Sequence, residues 1–89
     1  MTDPRRTLHG LENLPSIGGS VDFWANGTQY LIDADQVDAW ALSKNIGGKW
    51  RRVLEFGTDQ DGRLQIFDER LGPIPAGTES WQALVGRHL

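Results

Sequence analysis

Apolar and polar positions alternate with a period of two through "SVDFWANGTQYLID" (20–33), and Asn26-Gly27 interrupts the alternation at its centre. Both central residues of a two-residue type I′ turn need positive φ, which Asn and Gly adopt at little cost, so the stretch predicts a β-hairpin. The turn sets the register: Ala25 opposite Thr28, Trp24 opposite Gln29, Phe23 opposite Tyr30, Asp22 opposite Leu31 and Val21 opposite Ile32. One face then holds Val21, Phe23, Tyr30 and Ile32. The other holds Ser20, Asp22, Trp24, Gln29, Leu31 and Asp33. The apolar face is the expected core.

The period changes in "DADQVDAWALSKNIGG" (33–48). Ala34, Val37, Trp40 and Ala41 share one side of a helix, Asp33 and Gln36 have the spacing of a capping box, and Gly47-Gly48 supplies a stop. A helix is expected here. "KWRRVLEFG" (49–57) and "RLQIFDER" (63–70) return to period two, with "TDQDG" between them as a turn, and predict a second hairpin. "LGPIPAG" reads as a proline-stiffened connection. From Thr78 onward Trp81, Leu84, Val85, His88 and Leu89 follow amphipathic helical spacing.

These elements predict an α+β domain in the order ββαββα: a four-stranded antiparallel sheet with two helices on one face, Trp40 and Trp81 packing from those helices onto the sheet. Residues 1–19 form an N-terminal arm, able to dock through Leu8, Leu11 and Leu14, and 20–89 form the single domain. The tripeptide Ile-Gly-Gly at 17–19 recurs at 46–48, which suggests two tandem ββα units, 20–46 and 49–89.

Opposing apolar residues in the second hairpin puts Phe56 against Leu64 and Leu54 against Ile66. Arg52 then faces Asp68, Arg51 faces Glu69, and Trp50 lies beside Arg70. In that register the basic stretch is answered within its own hairpin. The opposite sheet face carries Trp24, Leu31, Val53 and Phe67, an apolar set of the kind that marks an interface unless the arm covers it.

Composition narrows the function further. A chain of 89 residues is one domain that buries roughly 60–65% of its unfolded surface. There are no cysteines, so disulfides, zinc-thiolate sites and cysteine nucleophiles are excluded. Nine Lys and Arg against twelve Asp and Glu give a net charge of −3, which disfavours a non-specific nucleic-acid binder. No leader-like apolar run follows Arg5 and Arg6, and no window has the length of a membrane span, so a cytoplasmic address is expected. Arginine in excess over lysine hints at a GC-rich bacterial or phage genome.

Motifs for chemistry fail on inspection. Asp59, Asp61 and Gly62 imitate a calcium loop, but its first and twelfth positions fall on Gly57 and Asp68 instead of Asp and Glu. Asp33, Asp35 and Asp38 cluster without a ligand pattern, and the Gly-Gly pairs lack the ending of a phosphate loop. No cofactor or metal is expected. The reading is a non-catalytic protein-interaction module, such as an inhibitor, immunity or accessory factor or phage-encoded modulator. Its partner is a protein or a second copy of the chain, met through Trp24, Leu31, Val53 and Phe67. The alternative is a nucleic-acid-binding regulator using Lys44, Lys49, Arg51, Arg52 and Arg63. A third reading is a hydrolase pairing Asp33 or Asp38 with His9 or His88.

Overall fold

The computed structural model describes residues 6–77 and 80–89. Six antiparallel strands lie in one sheet in chain order: β1 (Ser20–Ala25), β2 (Thr28–Gln36), β3 (Ala39–Ile46), β4 (Lys49–Thr58), β5 (Leu64–Asp68) and β6 (Gly72–Pro75). A 3-10 turn at Leu8–Gly10 precedes them, and one short helix, α1 (Trp81–Gly86), follows. The expected ββαββα order, with four strands and two helices on one face, is corrected to a six-stranded meander with one helix among the described residues. The tandem ββα units disappear with it.

The first hairpin has the expected register, from Ala25 opposite Thr28 through Val21 opposite Ile32. Asn26 has φ 54° and Gly27 φ 77°, as the type I′ turn requires. Phe23 and Tyr30 stack across it with centroids 5.3 Å apart.

The expected helix over 33–46 is instead the end of β2, a tight turn and all of β3. Its apolar positions satisfy both periods: Ala34, Trp40 and Leu42 also share one face of a hairpin, with Ala34 opposite Trp40 and Ile32 opposite Leu42. The turn residues Val37 and Asp38 carry no glycine or positive φ, and a bulge between Ala34 and Gln36 absorbs the irregularity that follows. Val37, assigned to the helix's buried side, is 72% exposed. An isolated helix of this length is marginal in water, whereas a strand here gains ladders on both sides, to β2 and β4.

The second hairpin is offset from expectation by two residues. Phe56 pairs with Ile66, Gly57 with Gln65 and Thr58 with Leu64. The Asp59 carboxylate decides this: one oxygen accepts from the backbone N–H groups of Asp61 and Arg63, both at 2.9 Å, and Asp59 N–H donates to Arg63 O. Closing the turn at Arg63 forces Thr58 against Leu64. A shift of two preserves facing, so Leu54 and Phe56 are buried as expected. The ladder between β4 and β5 ends at Phe56, so the expected pairs Arg52–Asp68 and Arg51–Glu69 do not form.

The stretch expected as a connection supplies β6, whose Ile74 pairs with Ile66, and just beyond it Ala76 N–H donates to Leu64 O at 3.0 Å. Inward donors therefore fall on even positions, and Pro73 and Pro75 direct their missing N–H outward, where a proline is tolerated.

The core face is covered by the arm and α1, not by two helices. Leu8 and Leu11 are buried with Phe23, Ile32, Leu42, Leu54, Phe56, Leu84 and Val85, and Leu14 and Trp81 pack against them. Trp40 Nε1 donates to Pro15 O at 2.9 Å, and Gln82 Nε2 donates to Leu11 O at 3.1 Å. Trp40 thus sits on β3, stacked on Phe56 with centroids 5.8 Å apart. Ser80 caps α1 by accepting from Ala83 N–H.

Gly57 is buried between the β2–β3 turn and Phe67. A Cβ there would collide with the Asp38 carbonyl oxygen and stand 2.9 Å from Phe67 Cε2. Gly57→Ala is expected to cost about 3 kcal/mol, the upper part of the range for overpacking, because backbone must move. Leu11→Ala is expected to cost about 2–5 kcal/mol, as for a core leucine, because the arm belongs to the core. Urea denaturation measures both; an arm that merely decorates the sheet would leave Leu11→Ala near the parent.

Candidate functional site

The sheet has three stretches of strand edge to account for. On β1 the arm occupies the edge at one point, where Trp24 N–H donates to Arg6 O at 2.7 Å. On β6 the prolines blunt it. The third lies inside the meander: β4 pairs with β3 along its whole length, from Ala39–Gly57 to Ile46–Lys49, but with β5 only at Phe56, Gly57 and Thr58. Residues 49–55 have no strand on that side among the described residues.

Hairpin geometry shows which backbone groups point outward. Ile46 and Lys49 flank a two-residue turn, with Gly47 at φ 60° and Gly48 at φ 86°, and so form a hydrogen-bonded pair. The next pair, Asn45 and Trp50, is non-hydrogen-bonded, which directs the N–H and C=O of Trp50 away from β3. Trp24 holds the same relation to its own turn, and its N–H takes the Arg6 carbonyl.

A chain of amides steadies this end of the sheet. Gln29 Nε2 donates to Asp22 Oδ2 at 3.2 Å, Asn45 Nδ2 donates to Gln29 Oε1 at 3.3 Å, and Gly48 N–H donates to Asn45 Oδ1 at 2.8 Å. Trp24, Gln29, Asn45 and Trp50 therefore share one cross-sheet row and one face. Trp50 is 46% and Ile46 47% exposed on the β3–β4 hairpin.

β4 and β5 diverge beyond Phe56 to leave an open cleft of about 680 Å³. Its walls are Arg52–Glu55 on one side and Ile66–Arg70 on the other, with His88 at the rim. Leu71, 76% exposed, stands on the β5–β6 turn. Arg52 forms an ion pair with Glu55 along its own strand, both half-exposed, a geometry of small energetic weight. Lys44, Lys49 and Arg51 form no ion pair among the described residues. Trp50, expected beside Arg70, stands opposite Asn45 instead.

The proposed contact residues lie in different places. Trp24 and Leu31 are half-buried diagonal neighbours on the face away from the arm. Phe67 leans over Gly57. Val53 falls at the β4 bulge between Leu42–Leu54 and Ser43–Arg52, and packs against the core cluster. Of the basic set, Lys44 pairs with Arg51, with Lys49 next along, while Arg52 pairs with Ser43. Arg63 lies beyond the far end of β4, about 30 Å from Lys49 at the rise of a strand.

The carboxylate–histidine reading gathers no geometry. Among the described residues neither His9 nor His88 hydrogen-bonds a carboxylate, and no group of three acidic or histidine side chains could hold a metal ion. Asp59 spends its carboxylate on its own turn. Asp68 does the same: its Oδ1 accepts from Leu71 and Arg70 N–H at 2.9 and 2.8 Å, and these two bonds lower its pKa. No helix of the described residues is long and apolar enough to cross a membrane. Comparison of the chain with protein-family models, curated proteins and solved structures finds no match in any of the three.

The open edge was not legible in advance, because apolar matching paired those very residues with β5. Its one signal was Asp59, whose turn closure shifts the register.

Asp68 offers a pH test. A carboxylate whose folded pKa is depressed contributes stability above its ordinary range and loses it as pH falls through the depressed value. The Asp68 carboxyl resonance should titrate below the ordinary aspartate value. The stability deficit of Asp68→Ala relative to the parent should shrink as pH drops through that midpoint. An unshifted titration would mean the β5–β6 turn is not held by this side chain.

Proposed function

We propose that this domain is a non-catalytic protein-interaction module that takes an extended segment of a partner protein along the open edge of β4. One observation carries this reading: on the side away from β3, the stretch 49–55 presents backbone donors and acceptors with no strand beside them among the described residues, next to a cleft large enough to receive side chains. Extended segments bind such edges by main-chain hydrogen bonds, with alternate side chains entering adjacent pockets. Exposed Ile46 and Trp50 at the β3–β4 end of this edge add apolar contact area. Tryptophan in such a position is the residue type most enriched at binding hot spots.

A nucleic-acid reading has one feature in its favour, the run from Ala39 to Leu54, which contains four cations and no carboxylate. Phosphate, an acceptor only, would leave the outward carbonyls unused, and the net charge of −3 opposes it.

Selection from a displayed library of unbiased short peptides tests the proposal. Bound sequences should shift the amide resonances of 49–55 and be lost in Trp50→Pro, which deletes an outward N–H that the β3–β4 ladder does not use. Trp50→Val retains that N–H and should retain at least part of the binding. Selected peptides that bind Trp50→Pro as tightly as Trp50→Val, or shift only the Trp24–Leu31 face, would place the interface elsewhere.

A further inference from the structure

We infer that the segment received at the β4 edge is acidic, an inference that rests on the edge reading above and names its partner's chemistry. The charge of the molecule is sharply divided. Residues 39–55 carry Lys44, Lys49, Arg51 and Arg52 against Glu55, a net of +3, so the rest of a chain at −3 carries −3 − 3 = −6. Three of these cations, Lys49, Arg51 and Arg52, lie on the stretch of β4 that has no strand on its outer side among the described residues. They also stand on both faces of that edge. Lys44 and Arg51 share a row with buried Tyr30, whereas Arg52 shares a row with Ser43 and Leu31. A strand laid beside β4 would meet Lys49 and Arg51, unpaired among the described residues, on one face, and Trp50 with the Arg52–Glu55 pair on the other.

This arrangement works against a second copy of the chain. Two β4 edges placed together would bring like charges into apposition, which is destabilising across a strand pair. The bulge at Arg52–Leu54 adds a local irregularity that a flat self-pairing would have to accommodate. Charge and bulge together resist self-association while favouring a partner of opposite sign, so that one feature both excludes and selects. The gradient along the edge defines the segment further. Its carboxylates belong beside Lys49–Arg52, and its apolar residues belong where Val53, Ile66 and Phe67 line the cleft.

The test uses synthetic peptides of about seven residues, the length of an ordinary strand, built from glutamate, valine and threonine and offered in both sequence directions. Glutamine and lysine versions serve as comparisons, with a thymidine decanucleotide as the nucleic-acid arm. Binding is followed by amide shifts of residues 49–55. The glutamate peptide should bind about tenfold or more tighter than the glutamine one at low salt, with the preference fading near 1 M salt, where screening is nearly complete. The lysine version should be weakest. The double variant Lys49→Glu and Arg51→Glu, altered at two exposed positions, should keep its spectrum and reverse the order of preference. Glutamine and glutamate peptides of equal affinity would overturn the acidic partner and leave the edge reading standing. Failure of all the peptides would overturn both. Tighter binding of the oligonucleotide would overturn both in favour of phosphate recognition.

Discussion

The Asp59 carboxylate, holding the amides of Asp61 and Arg63, is the small interaction on which the surface of this molecule depends. It closes the β4–β5 turn at Arg63 and thereby sets Thr58 against Leu64 and Phe56 against Ile66. Buried Gly57 lets Phe67 lean over it and lets the Asp38 carbonyl accept from Thr58 N–H at 3.0 Å. That bond joins the β2–β3 turn to the last residue of β4. The register of four strands, β2 to β5, is thus coupled at one end of the sheet, while the other end of β4 has no strand on its outer side among the described residues.

The core solves a different problem. A sheet of six strands in so short a chain has one broad apolar face and little helix to cover it. Leu8, Leu11 and Leu14 of the arm supply much of the missing layer, with Trp81, Leu84 and Val85 of α1 supplying the rest. The arm is also tied by backbone and side-chain bonds, Trp24 to Arg6 and Trp40 to Pro15, so it serves as an irregular second layer. The strand edges are managed with equal economy: arm contact at β1, prolines at β6 and cations at β4. The last arrangement leaves backbone donors of β4 accessible among the described residues.

How far this could be seen in the sequence varied with the source of the order. Asn26-Gly27 announces its turn, because positive φ at two successive residues has few chemical solutions, and the first hairpin followed residue for residue. Val37-Asp38 announces nothing, since neither residue has positive φ and the adjacent bulge leaves no mark in composition. Apolar residues at 34, 37, 40 and 41 then suit a helix while those at 34, 40 and 42 suit a strand, and only the neighbouring strands decide between them. The facing of the second hairpin was legible, because its buried residues repeat every two positions. Its register was not, because apolar matching is satisfied again two residues away and the Asp59 hydrogen bonds choose. The cations were visible as cations; that they line an open edge instead of facing Asp68 and Glu69 is a consequence of that choice.

The central claim is that β4 ends in an unoccupied backbone edge, and amide hydrogen exchange at single residues tests it most directly. Trp24 and Trp50 hold equivalent positions beside their turns, and both N–H groups point away from their hairpins. Trp24, bonded to the Arg6 carbonyl, should be protected, and Arg51, bonded inward to Lys44, should be protected as well. Trp50 should exchange with little protection. Protection of the Trp50 amide equal to that of Arg51 in the isolated domain would mean the edge is already filled, and the account of this surface would fail.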